Sequence, residues 1–298
     1  MSSWNRFACF DNVPKNRIIA VASKPIVSTV LRSGLGNRFF QILAGLGYAE
    51  RTGKQFVFFE KQMLDNFHTG PKMTKDILMS IFPHIKIYRG HVNWNQHHED
   101  TEQFYDGNLI PAIDGSVLLH GYFQNESNFP QNYRELFKIP KPPCEIMRFN
   151  DTEINWKNTV FIHIRKGDYI DSEYDINLTT YYKSAINAIQ ERFPDCFFLI
   201  FSDQPDKVEI EGLTNRSNSS NSSNSSNSSN SSIVPSGVGT WETLYLMSRC
   251  VGAICANSTF SWFGAFGIRG DGPVYMPSVW KKGMVSNPVP QWAEALPV

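Results

Sequence analysis

Two rhythms of apolar and polar positions run along this chain, short β-rich runs and longer stretches with helical spacing. In the first half, residues 17–22, 26–31, 54–60, 85–88 and 116–123 are dominated by Val, Ile, Leu, Phe and Tyr and predict strands. Residues 39–49 form a helix-compatible apolar run, 74–82 a second helix and 132–137 a short third. Between them, His97-His98-Glu99-Asp100 has no apolar pattern and reads as a solvated loop. Adjacent side chains diverge, so these four would hold a metal ion only with a spaced partner motif, which is missing.

In the second half, Thr-Val-Phe-Ile-His-Ile at 159–164 has the composition of a strand buried on both faces. Residues 179–193 place Tyr182, Ala185, Ile186, Ile189 and Phe193 on one helical face, with Thr179 or Thr180 available as N-cap and Pro194 as the stop. Residues 196–201 are an apolar strand that ends in Ser202-Asp203. Strand, helix, strand in that order predicts a parallel crossover unit. A helix at 241–249 with Thr240 as cap follows, then a small-residue strand at 251–256 and a hydroxyl-rich strand end at 257–259 that enters an aromatic helix. Residues 272–277 predict a last strand, before the basic tail Val279-Trp280-Lys281-Lys282.

The elements fall into two halves. Residues 138–144 are proline-rich and extended, which places a boundary within 138–158 and two domains at 1–150 and 151–298. Residues 215–232 are dominated by an Asn-Ser-Ser repeat with nothing to bury, and predict a structureless surface insertion in the second domain.

Charge and cysteine content narrow the function class. Lys plus Arg and Asp plus Glu both total 28 in 298 residues, so no global field favours nucleic acid or an anionic membrane. Any cationic site must be local. The five cysteines, Cys9, Cys144, Cys196, Cys250 and Cys255, are odd in number and lack Cys-x-x-Cys spacing, which predicts reduced thiols. No leader-like apolar region or membrane-length apolar run is present, so the expectation is a soluble, cytoplasmic protein. Asn257-Ser258-Thr259 matches a glycosylation acceptor inside a candidate ligand site, which adds to that expectation.

Candidate chemistry gathers at strand ends. Ligands of α/β sheets bind beyond the carboxyl ends of the strands. The 159–164 strand delivers Arg165, Lys166 and Gly167 to that end. Arg165 would fork onto a phosphate, Lys166 would add a point charge and Gly167 would let the backbone come close; a charged turn leaving a core strand is the alternative reading. His163 belongs to the same strand, Asp203 and Ser202 end the next, and Asn257, Ser258 and Thr259 end a third, where hydroxyls and N–H groups at a helix start either cap the helix or hold a phosphate. In the first half, Gly34-Leu-Gly36-Asn37 follows a strand and opens a helix, half of a dinucleotide fingerprint or an ordinary glycine turn. There is no Asp-x-Asp to carry a diphosphate through a divalent ion.

Taken in order, Gly34-Leu-Gly-Asn37, His163-Ile-Arg-Lys-Gly-Asp-Tyr169, Phe201-Ser-Asp203 and Ala256-Asn-Ser-Thr-Phe-Ser-Trp262-Phe-Gly-Ala265 resemble the motifs of the α-1,2-fucosyltransferase family, over roughly residues 28–285. The resemblance implies a GT-B-like α/β fold, two Rossmann-like domains facing across a cleft, with the donor held by the C-terminal one and the acceptor side in the N-terminal one. It implies inverting, metal-independent transfer of L-fucose from GDP-β-L-fucose to a hydroxyl of a glycan acceptor, a galactoside 2-α-L-fucosyltransferase using the 2-OH of a galactose, with no cofactor.

By motif position, Arg165 would bind the β-phosphate and stabilise departing GDP, with Lys166 beside it. His163 and Asp203 would contact the guanosine, Ser258 and Thr259 the phosphates, with Asn257 in the same donor-binding set, and Asn37 with Gly34 and Gly36 would lie near the transferred sugar. Lys166 stands where the family pattern has a second arginine, and Arg38 where it usually has Gln. Other linkages, a protein acceptor, or a catalytically silent nucleotide- or glycan-binding protein fit the same residues.

Overall fold

The computed structural model describes residues 17–60, 71–99, 108–142, 154–210, 213, 230–268, 270–284 and 288–298, with backbone alone for 71–74. The chain divides into two compact units, Met1–Ile146 and Met147–Val298.

In the first unit the strands are β1 (Ile18–Ile19), β2 (Ile26–Thr29), β3 (Gln55–Phe59), β4 (Lys86–Tyr88), β5 (Asn95–His98) and β6 (Val117–His120). They form one parallel sheet in the order β1-β4-β3-β2-β6-β5. Helix α1 (Leu35–Thr52) follows β2, α2 (Pro71–Ile81) precedes β4, and α3 (Tyr133–Leu136) is a single turn. Most of α1 is buried, including Phe39, Phe40, Ile42 and Leu43, and it stops where Gly53 adopts a left-handed φ of 67° and its N–H caps the last carbonyls. Phe39 packs edge-on against Phe82 and Phe137, which are tilted against each other, with centroids 4.9–6.4 Å apart, locking α1 against its neighbours.

The second unit repeats the plan. Strands β7 (Thr159–Ile164), β8 (Phe197–Ser202), β9 (Ser231–Ile233), β10 (Gly252–Ile254), β11 (Val274–Pro277) and β12 (Glu294–Leu296) form a parallel sheet in the order β12-β11-β10-β7-β8-β9. Helices α4 (Thr179–Arg192), α5 (Thr240–Arg249) and α6 (Thr259–Phe266) join them. Every residue of β7 is buried, as its uninterrupted apolar run requires. One face of the sheet packs on Tyr181, Ala185, Ile186 and Ile189 of α4. Cys196, Cys250 and Cys255 are buried free thiols, while Cys9 and Cys144 lie outside the described residues.

Several expectations are corrected. The stretch expected as a solvated loop at His97 and His98 is the edge strand β5, held by backbone pairing to β6 rather than by an apolar face; Asp100 lies outside the described residues. The expected structureless insertion ends early, because Ser231 and Ser232 belong to β9; residues 214–229 lie outside the described residues. The 272–277 strand is not the last and the segment after it is no simple tail, since Trp280 is buried and β12 adds to β11. Leu178 and Gly239, not Thr179, Thr180 or Thr240, occupy the N-cap positions of α4 and α5. Among the described residues no helix is long and apolar enough to cross a membrane.

Candidate functional site

In a parallel sheet all carboxyl ends lie along one edge, so neighbouring strands bring their exit turns together. In the second unit β7 lies between β10 and β8, so the turns carrying Arg165–Lys166, Ser202–Asp203 and Asn257–Thr259 are adjacent. The sequence could name the three turns; the strand order makes them one site.

Arg165 is its centre. Its Nε donates to Asp168 Oδ1 at 2.8 Å and lies 3.5 Å from Asp203 Oδ2, and the guanidinium stacks 5.7 Å from the centre of the Tyr169 ring. Both carboxylates lie against Nε, and the two terminal amino groups make no hydrogen bond to protein among the described residues. Burial works against the charge, but the Asp168 hydrogen bond and the charges of Asp168 and Asp203 outweigh it and hold the pKa above its ordinary value. The arginine is thus fixed at Nε with its fork open. Lys166 beside it is exposed.

Asp203 shapes the turn. Its carboxylate accepts N–H bonds from Lys166 at 3.0 Å and Gly167 at 2.8 Å. A Cβ on residue 167 would run into Asp203 Oδ2, and no left-handed φ is involved. Glycine here makes room for the carboxylate of the neighbouring strand end, whereas the sequence reading reserved that room for a ligand.

Beyond β10, the Asn257 side chain is buried and both amide protons are spent, on the Tyr174 carbonyl at 3.0 Å and the Trp280 carbonyl at 2.9 Å. Ser258 caps α6 by accepting from the Phe260 N–H at 3.3 Å, and Ser261 Oγ binds back to the Ala256 and Ser258 carbonyls. Thr259 opens the helix and is partly exposed. First-turn N–H groups of such a helix have no intrahelical acceptor. Tyr169, which sequence reading did not single out, donates from its hydroxyl to the Asn257 carbonyl at 3.1 Å and ties the β7 turn to the β10 turn. Burial pushes its pKa up to about 12, so it remains a neutral donor.

His163 is 4 % exposed, its backbone carbonyl accepts from Tyr182 at 2.8 Å, and its ring lies 6.0 Å from that of Phe260. Burial, with Arg165 nearby, lowers its pKa to about 3, so the imidazole is neutral; Nδ1 is buried without a hydrogen-bond partner.

The first unit has its own strand-end cluster. Gly34 is the N-cap of α1 in extended backbone, after Ser33 in the left-handed region at φ 62°. Gly36 and Asn37 fall in the first turn, and Asn37 Oδ1 accepts from Gln124 Nε2 at 2.6 Å. Arg38 is fully buried and its Nε donates to the Ser33 carbonyl at 3.0 Å, bracing the glycine turn from below. Glu99, at the end of β5, repeats the role of Asp203. Its oxygens accept from Tyr122 N–H at 2.6 Å and Phe123 N–H at 3.0 Å, and a Cβ on Gly121 would come within 2.5 Å of Glu99 Cβ. Burial pushes Glu99 up to about 7, and those hydrogen bonds and Arg32 keep it from rising further. The sequence offered Glu99 only as part of a solvated loop, because an edge strand of Asn, Gln and His has no apolar period.

Comparison with known proteins finds relatives among glycosyltransferases. An E. coli protein named alpha-1,2-colitosyltransferase is 27 % identical over 270 residues, covering 81 % of this chain and 87 % of its own. The E. coli O-antigen biosynthesis glycosyltransferase WbnK is 26 % identical over 181 residues, 55 % of each chain. Among solved structures, NodZ alpha-1,6-fucosyltransferase soaked with GDP-fucose is similar over 85 % of this chain and 93 % of its own, at 12 % identity and a TM-score of 0.45. The sequence profile described as Glycosyl transferase family 11 matches residues 38–282, which take in the strand-end motifs of the second unit, and the chain belongs to that glycosyltransferase family.

Proposed function

We propose that this glycosyltransferase moves L-fucose from GDP-β-L-fucose to a glycan hydroxyl, the 2-OH of a galactose, with inversion and without a metal ion. The observation that carries the reading is Arg165, clamped at Nε by two carboxylates with its terminal amino groups open at the edge where β7, β8 and β10 end. The oxygen of an acceptor hydroxyl attacks C1 of the fucose, its proton passes to solvent, the bond from C1 to the β-phosphate oxygen breaks, and the electron pair leaves on GDP. Negative charge then grows where Arg165, Lys166 and the first-turn N–H groups of α6 can meet it, and fixed donors act most strongly where charge develops. Asp168, Asp203 and Tyr169 hold the turn and are positioning residues. Asn257, its amide protons already spent, positions the α6 start, while Ser258 and Thr259 offer hydroxyls to the phosphates. His163, buried and neutral, lies beneath the nucleoside. Asn37 with Gly34 and Gly36 belongs to the sugar end, and acceptor recognition is assigned to the first unit.

The relative named alpha-1,2-colitosyltransferase supports a 1,2 linkage and favours a second reading in which colitose is the sugar transferred. Purified protein incubated with EDTA, a galactoside panel and either GDP-fucose or, separately, activated colitose decides between these. A 1,2-linked fucoside formed with EDTA present supports the proposal. Product of another linkage replaces the acceptor assignment, turnover only with activated colitose replaces the donor sugar, and GDP binding without turnover on any acceptor leaves a silent binding protein.

A further inference from the structure

In the first unit, β2, β6 and β5 are neighbours in the sheet, and their carboxyl ends carry Arg32, Tyr122 and Glu99. The Arg32 guanidinium lies 5.9 Å from the centre of the Tyr122 ring, and it makes no hydrogen bond or ion pair among the described residues; its Nε is buried without a partner. The backbone N–H of Arg32 is fixed by Gln41 Oε1 at 3.0 Å, and Tyr122 is fixed at both ends, its N–H on Glu99 and its hydroxyl 2.9 Å from Ser33 Oγ. Beside them His120 Nε2 is also buried without a partner, with its ring stacked 4.3 Å from that of His98. Buried polar atoms are normally satisfied, and two orphans on adjacent strand ends mark a place where something else supplies the bonds.

The composition says what. Arg32 offers donors, the Glu99 carboxylate offers acceptor capacity, since Oε1 takes only one N–H bond, and Tyr122 offers a rigid aromatic ring. A phosphate would satisfy Arg32 but face the Glu99 carboxylate. A neutral polyol satisfies both, with one oxygen accepting from the guanidinium, a hydroxyl donating to the carboxylate and a C–H face against the ring.

We propose that Arg32, Tyr122, Glu99 and His120 form a subsite for a neutral sugar ring of the acceptor glycan. This rests on the reading that the acceptor is a glycan, but it does not depend on the donor or the linkage.

The test uses the full chain, wild type and Arg32→Gln, with saturation-transfer NMR on methyl β-D-galactopyranoside, methyl β-D-glucopyranoside, methyl N-acetyl-β-D-glucosaminide and GDP. Because the Arg32 guanidinium makes no hydrogen bond or ion pair among the described residues, the variant should stay folded, with a Tm within a few degrees of wild type. At least one glycoside should bind wild type and lose about tenfold in affinity in Arg32→Gln, the size of one or two lost hydrogen bonds, while GDP binds both equally. Tyr122→Leu should weaken the same glycoside. Failure of every glycoside to contact the wild type, equal glycoside binding by wild type and Arg32→Gln, or loss of GDP rather than glycoside in the variant overturns the subsite. Failure of the fucosyl-transfer reading shows separately, as absent turnover of GDP-fucose by the wild type.

Discussion

Alanine at Gly167 isolates the contact that shapes the cationic turn. The backbone there is not left-handed, so alanine carries no conformational penalty of its own, and its Cβ meets one obstacle, the Asp203 carboxylate. Asp203 can swing aside only by releasing the Lys166 and Gly167 N–H groups at 3.0 and 2.8 Å and retreating from Arg165 Nε at 3.5 Å. Hydrogen bonds to a charged group contribute about 1.5–3 kcal/mol each. The Asp203 side chain is 20 % exposed, and water takes up part of the loss, so about 3 kcal/mol for the pair is the working figure.

For a unit of this size that corresponds to roughly 6–12 °C in Tm. Asp203→Ala alone should cost about the same, and Gly167→Ala added to Asp203→Ala should cost almost nothing more, a coupling of about 2–3 kcal/mol. Urea denaturation of the four proteins measures the cycle, and GDP titration reports whether the turn still presents Arg165. Additive costs, or a neutral Gly167→Ala, would refute the assignment of this glycine to the carboxylate.

Other expectations follow from the same geometry. Arg165→Ala should lower turnover with GDP-fucose by at least about 10²-fold, the effect of removing one donor from a developing charge, whereas Arg165→Lys should recover little because a point charge cannot fork; steady-state kinetics of both variants checks this. Burial raises Glu99 to about 7 from an ordinary value of 4.5, so the folded state binds that proton more tightly and its contribution to stability falls as pH rises between about 4.5 and 7, then levels off. At about 1.4 kcal/mol per pH unit the change is at most roughly 3 kcal/mol. Arg32 opposes the rise, and His97 and His120, both lowered by burial, titrate in the contrary sense. The effect should therefore be read as wild type minus Glu99→Gln in urea titrations across pH 4–8, with equal slopes counting against it.

Local composition is enough to encode several elements of this fold. The all-apolar run of β7, the one-faced helix α4 ended by Pro194 and the glycine turn before α1 state their elements directly, because burial and backbone restriction act on the residues that carry them. Four short motifs in register were enough to indicate the family, and the matched family confirms it. Strands that owe their existence to a neighbour's backbone were illegible. Polar β5, the serines of β9 and short β12 have no apolar period to read.

The roles of individual polar residues were also tertiary decisions. Asn257 and Thr259 look equivalent in the sequence, yet one has spent its amide protons on carbonyls from Tyr174 and Trp280 and the other opens a helix with its side chain partly exposed. Gly167 looks like a ligand's clearance and is the Asp203 carboxylate's, and Gly121 makes the same room for Glu99 in the first unit. A hydrogen bond is decided by partners far apart in the chain, so no reading of one segment could assign it.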